Sequence, residues 1–181
     1  MPVSSLQELD GDLVIYIGTF SKVLFPSARL GYMVLPEALV EECRELKRLG
    51  DHHTDSVSQL ALMRFIENGD LERHIARMKK VYHKRRDMLI SGLKEAFPGK
   101  VSISGESAGM HVAAGFCGVE FTPVLMKALE GAGLSIIPIE EHSVIKGRHC
   151  SQLILGYAHL SPEQIQEGIR RLKRILSKAT E

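Results

Sequence analysis

The sequence predicts a chain of mixed class, α/β with α+β, on three observations. Two near-continuous apolar runs, Leu13 to Ile17 and Leu30 to Leu35, have the pattern of strands buried on both faces. A stretch from Leu71 to about Phe97 repeats Ile75, Met78, Val81, Met88, Leu89 and Leu93 at helical spacing. After Gly99, short strand-like segments alternate with helical ones. The expected organisation is therefore residues 1–80, holding the buried strands, and residues 81–181, a smaller α+β lobe, joined by the long helix at about 71–97.

Taken in order, residues 1–12 read as an irregular lead-in with a turn at Asp10-Gly11. Leu13 to Ile17 and Leu30 to Leu35 are the two strands. Pro36 opens a helix at its first turn, expected to run to about Leu49 and to stop at Gly50-Asp51. Thr54 or Asp55 can cap a helix from Ser56 to Glu67, with Leu60, Leu62, Met63 and Ile66 as its apolar positions. Asn68-Gly69-Asp70 restarts the chain into the long helix, and Pro98-Gly99 stops it. Strands are expected at Val101 to Ser104, Met110 to Phe116, Leu134 to Ile137 and Leu153 to Tyr157. Helices are expected at Phe121 to Gly131 and Pro162 to Leu176, the second opened by Ser161-Pro162.

Composition excludes several classes. A net charge of +1 in 181 residues gives no electrostatic case for nucleic-acid or membrane binding by this segment. The basic cluster Lys79, Lys80, Lys84, Arg85, Arg86 reads as the solvated face of a helix. Cys43, Cys117 and Cys150 are odd in number and match no zinc pattern, so free thiols in a reducing cytoplasm are expected. The histidines lack metal-ligand spacing, and no metal is expected. No apolar run approaches membrane-spanning length, and the first residues given do not read as a basic-then-apolar signal. The methionines at helical spacing, Met63, Met78 and Met88 among them, read as core or interface filler.

The chemistry concentrates between the two strands. Gly18-Thr19-Phe20-Ser21-Lys22 leads through Pro26 to Arg29-Leu30-Gly31-Tyr32, placing a lysine and an arginine seven residues apart. A lysine at the carboxyl end of a buried strand, framed by small hydroxyl residues, can carry an aldehyde cofactor as a Schiff base. The arginine can grip that cofactor's phosphate. The same spacing also suits a surface lysine and a structural ion-pair arginine. Further along, His111 is either a substrate contact or a satisfied sheet histidine. Glu140-Glu141-His142 reads as a loop rather than an acid/base or metal cluster.

These residues resemble a known family. Thr19-Phe20-Ser21-Lys22 with Pro26 and Arg29-Leu30-Gly31-Tyr32 is similar to the lysine motif of fold-type I pyridoxal-phosphate enzymes, the aspartate aminotransferase superfamily. The later segments Asp70 to Met78 with Tyr82 and Arg85-Arg86, Gly109-Met110-His111 and Leu155-Gly156-Tyr157-Ala158 most resemble the aminotransferase-like domain of MocR-type transcriptional regulators of the GntR family. The resemblance spans essentially the whole chain and corresponds to the C-terminal part of that fold: a remnant of the large domain plus the small domain. It implies pyridoxal 5'-phosphate as cofactor in the full-length protein. Lys22 is then the Schiff-base lysine, forming the internal aldimine and later moving a proton at the substrate carbon. Thr19 and Arg29 hold the phosphate, and Ser21 shapes the turn. A small amino-compound effector or substrate, a homodimer with the Val57–Ile66 helix near its interface, and DNA contact only through an N-terminal domain are further implications.

The departures from the family pattern matter as much. The aspartate that pairs with the pyridine nitrogen, the tyrosine near the phenolic oxygen, the phosphate loop and the ring-stacking aromatic lie upstream of the lysine in the family. Doubly buried strands also need sheet partners and helices on both faces, more than residues 1–80 supply. The chain is therefore expected to be the tail of a larger fold and to be inactive alone. The arginine that binds a substrate carboxylate in true aminotransferases falls, in the register of Leu155-Gly156-Tyr157-Ala158, on Ile154; Arg148 is the nearby substitute. Three functions follow as expectations: the effector-sensing segment of a regulator, part of a working aminotransferase, or a cofactor-free dimerisation module.

Overall fold

The computed structural model describes residues 4–24 and 26–179. Met1 to Val3 of the lead-in and Phe25 of the lysine motif lie outside the described residues. The chain forms two compact units, Met1–Ala76 and Arg77–Glu181.

The first unit opens with a single helical turn, α1 (Leu6–Leu9), where the sequence predicts irregular chain. Ser5 caps it by accepting the Glu8 N–H at 3.3 Å. Asp10 then accepts the N–H groups of Asp12 and Leu13, the short-range bonding that makes Asp-Gly a turn. Strands β1 (Tyr16–Thr19) and β2 (Gly31–Val34) pair antiparallel, Tyr16 opposite Val34 and Thr19 opposite Gly31. This corrects the parallel-type direction expected of the two runs. Among the described residues the two strands pair with each other alone, and Leu13 and Ile17 are 82% and 73% exposed, in accord with the expectation that residues 1–80 supply too few sheet partners. Gly18 is required by this pairing, since a Cβ there would lie 2.4 Å from the Tyr32 ring across the ladder.

A 3-10 turn (Glu37–Leu39) precedes α2 (Val40–Asp51), which passes through Gly50 and stops at His52, whose φ is +58°. The helix thus ends at the expected Gly50-Asp51, with Lys47 bonding Asp51 at 2.9 Å across the last turn. Asp55 caps α3 (Ser56–Glu67), accepting the Ser58 N–H at 2.7 Å. Val57, Leu60, Met63 and Ile66 lie exposed along it at three-residue spacing rather than in a core. Helix α4 (Asp70–Ala96) begins in this unit and continues into the second.

The second unit is a four-stranded antiparallel sheet in the order β3-β4-β6-β5, covered by helices on one face. Its strands are β3 (Val101–Ser104), β4 (His111–Phe116), β5 (Ile137–Pro138) and β6 (Gln152–Gly156). Strict alternation in β4 turns Val112, Ala114 and Phe116 inward, and the register sets Val112 opposite Leu155 and Ala114 opposite Leu153. Helices α4, α5 (Pro123–Gly131) and α6 (Pro162–Ala179) add Leu89, Leu93, Leu129, Ile165, Leu172 and Leu176. Gly92 lets α6 approach α4, for a Cβ there would meet Ile169 at 2.6 Å. Ser161 and Gln164 cap α6 reciprocally, at 3.3 and 2.8 Å.

Two expectations change here. The strand at Leu134 to Ile137 shrinks to β5, which ends at Pro138, a residue with no N–H to continue the ladder. The basic cluster on α4 is not uniformly solvated. Lys79, Lys80 and Lys84 are exposed, but Arg85 and Arg86 are half-buried and donate to the carbonyls of Ala158 and Glu106.

Leu93 is 0% exposed at the centre of this core. Leu93→Ala is expected to cost about 2–5 kcal/mol, as large-to-small core changes do, read as a lower urea midpoint with unchanged far-ultraviolet circular dichroism.

Candidate functional site

The lysine motif sits where β1 runs out. With Thr19 opposite Gly31, the loop from Phe20 to Leu30 must leave and return at the same end of the ladder. Its base closes on one carbonyl: Leu30 O accepts the Phe20 N–H at 3.0 Å and the Thr19 hydroxyl at 3.4 Å. Thr19 Oγ1 in turn accepts the Ser21 N–H at 3.2 Å. Phe20 O accepts the N–H groups of Val23 and Leu24, at 3.1 and 2.8 Å, winding residues 21–23 into a turn. Lys22 stands exposed on that turn.

On the returning limb, Arg29 is exposed and has φ +47°. The left-handed region costs a non-glycine residue about 1–2 kcal/mol, so the closure at Leu30 holds Arg29 there against its preference. Neither Lys22 nor Arg29 forms an ion pair or a hydrogen bond with another described residue. One hairpin end thus presents an amine, a guanidinium and a threonine hydroxyl, and this donor set fits an aldehyde that carries a phosphate. The Thr19 bond to Leu30 is long, so its hydroxyl can turn to a phosphate oxygen at little loss.

The other two candidates belong to the second unit. His111 opens β4 opposite Gly156, and a Cβ on Gly156 would lie 3.1 Å from the His111 ring and 3.9 Å from that of His159. Both rings border a cavity of about 520 Å³ whose walls include Leu134, Ile136, Leu160 and Ile169. His159 escaped the sequence reading because nothing in Ala158-His159-Leu160 signals a site. Tyr157 prepares this end of the sheet. Its buried hydroxyl donates to Gly109 O at 2.8 Å, and burial raises the phenol above its usual range. Arg148 lies before β6, whose first residue pairs with Gly115, so the length of the β4–β6 ladder separates it from the His111 end. It is exposed and makes no hydrogen bond or ion pair with another described residue. Ile154 is half-buried on β6, opposite Ala113 and Ile137.

Glu140 is the organiser of the loop that carries Arg148. Its carboxylate accepts the N–H of Gly147 and, at 2.9 Å, that of His149, while Lys146 donates to its carbonyl at 2.7 Å. The Gly147 and His149 amides hold this carboxyl below the usual glutamate range. A lowered folded-state pKa stabilises the loop above the ordinary glutamate value, and the contribution is lost as the pH falls through the folded-state value. Amide exchange at Gly147 and His149, corrected for intrinsic rates, is expected to quicken on acidification in that window. Glu140→Gln is expected to show the faster exchange at neutral pH and to abolish that acid dependence.

Comparison with known proteins adds a family and two kinds of relative. The family described as aminotransferase class I and II matches residues 2–172. The HTH-type transcriptional regulator YhdI of Bacillus subtilis, itself uncharacterized, is 35% identical over 95% of this chain and 37% of its own length. MocR of Rhizobium meliloti, named as a probable rhizopine catabolism regulatory protein, is 32% identical over 95% of this chain and 35% of its own. The chain thus spans little more than a third of the length of these regulators. Among solved structures, LysN, the alpha-aminoadipate aminotransferase of Thermus thermophilus complexed with N-(5'-phosphopyridoxyl)-L-leucine, superposes with a TM-score of 0.83. It is 26% identical, and the match covers 96% of this chain and 44% of that one.

Proposed function

This chain belongs to the aminotransferase class I and II family, and on that premise we propose that it is the effector-sensing segment of a pyridoxal-phosphate-dependent transcriptional regulator of MocR type. The observation that carries this reading is the convergence of Lys22, Thr19 and Arg29 at one hairpin end, in a chain whose curated relatives include HTH-type regulators. Pyridoxal phosphate, when bound, supplies an exchangeable carbonyl for amines and an electron sink.

The residues divide the work. Lys22 would hold the cofactor through its amine and, with an amino-compound effector in place, would be placed to hold a proton beside the effector's carbon. Arg29 and Thr19 would hold the cofactor's phosphate by charge and hydrogen bond, and Ser21 shapes the turn with its N–H on Thr19. His111 is assigned to the effector by its place on the cavity, whereas Arg148, at the other end of the β4–β6 ladder, has only its charge to support that role. DNA contact belongs to an N-terminal domain, and the exposed apolar face of α3 supports a homodimer. A cytoplasmic location accords with the fact that, among the described residues, no helix is long and apolar enough to cross a membrane.

A second reading, a working aminotransferase, draws on the fold likeness to LysN. Ile154 disfavours it, because an isoleucine cannot pair with a substrate carboxylate at the register where the family's arginine is expected. Sustained conversion of a 2-oxo acid to its amino acid at ordinary transaminase rates would sink the regulator reading.

Titration of the full-length protein with pyridoxal phosphate is expected to give a visible absorbance band that Lys22→Ala abolishes; a band unchanged in that variant, or no band at all, rejects the cofactor assignment. Arg29→Gly separates strain from phosphate binding. It is expected to raise stability by up to about 1 kcal/mol by relieving the positive φ. It should also weaken cofactor binding about ten- to hundredfold, the worth of a hydrogen-bonded charge.

A further inference from the structure

The turn that carries Lys22 is tied from two sides. Phe20 holds it from the strand, through its N–H on Leu30 and its carbonyl under Val23 and Leu24. The second tie comes from 51 residues away in sequence: His74 Nε2 lies 3.1 Å from the Val23 carbonyl oxygen, one residue past the lysine. A carbonyl oxygen only accepts, so the proton in this contact sits on Nε2 and His74 is the donor.

His74 is well placed to act as a fixed point. It stands in the first turns of α4, where Arg73 bonds the Asn68 carbonyl at 3.1 Å and the Asp70 carboxylate at 2.7 Å and so fastens the start of the helix. The imidazole is half-buried and meets the edge of Phe65, with ring centroids 6.3 Å apart at 61°.

We infer that His74 is a positioning residue for the Lys22 amine: its Nε2–H fixes the Val23 carbonyl and thereby the turn from which Lys22 reaches the cofactor aldehyde. This rests on the reading of Lys22 as the cofactor amine. The physical ground is that a nucleophile on an exposed turn reacts in proportion to the time it spends in the reactive geometry. Without the second tie, the hydrogen bonds that hold the turn among the described residues come from its strand side. His74 touches neither cofactor nor effector in this scheme and acts through Val23.

The test compares His74→Phe, which keeps a ring against Phe65 but has no donor, with His74→Gln, which restores an N–H at similar reach. Three readouts apply to the whole protein: amide exchange at Val23 and Leu24 without cofactor, the dissociation constant for pyridoxal phosphate from visible absorbance, and the fraction of Lys22 trapped by borohydride. His74→Phe is expected to speed exchange and raise the dissociation constant about three- to tenfold each, the factor one hydrogen bond is worth. Trapping should fall in parallel, and His74→Gln should recover all three. Unchanged exchange and affinity in His74→Phe overturns the proposal, as does a glutamine variant as impaired as the phenylalanine one. Should His74→Phe not fold, His74→Met takes its place with the same criteria. If the wild type shows no band dependent on Lys22, the cofactor reading falls by itself, and the exchange measurement still decides whether His74 holds the turn.

Discussion

The carbonyl of Leu30 is the point on which the lysine motif depends. Because Thr19 pairs with Gly31, the chain after β1 has to return to the same place, and Leu30 meets it there with one oxygen accepting from both Phe20 and Thr19. Leu30 is buried, only 6% exposed, so the closure is protected from water on its apolar side. Everything chemical follows from that closure. It sets the Lys22 turn at the strand's end, and it holds Arg29 in a left-handed conformation that an arginine would not choose. Local strain persists only where the surroundings over-determine it, and such places concentrate at functional sites.

The second unit works by a different division of labour. Its sheet and helices form a conventional two-layer core, within which Val112, Leu153 and Leu93 are almost wholly removed from water. The polar work is carried by the loops at the sheet's ends. Tyr157 reaches from the core to hold Gly109 just before His111, and Glu140 gathers the backbone of the loop bearing Arg148. A rigid core with individually tethered loops suits a sensor, because a ligand can bias loop geometry while the sheet remains intact.

Relatives of two kinds share this chain's fold, regulators and aminotransferases, and the fold does not choose between them. The choice falls to particular side chains. On the proposed reading a lysine and a phosphate-binding arginine serve both roles, whereas a carboxylate-binding arginine on β6 would serve only one. Ile154 occupies that register here, half-buried between Ala113 and Ile137.

Periodicity, caps and motif spacing in the amino-acid order were enough to locate most of this architecture. The alternation in β4, the caps at Asp55 and Ser161, the 27-residue span of α4 and the Lys22–Arg29 motif all depend on neighbours within a few residues, and local sequence records such things directly. Three other features could be known only once the chain had folded. The apolar strands β1 and β2 pair antiparallel, because apolar composition registers a preference for burial but not the direction in which strands run. Arg85 and Arg86 leave the solvated face to bind distant carbonyls, and His74 finds Val23 across 51 residues. Each of these is a contact between groups that sequence separates, and its geometry exists only after the intervening chain has been packed.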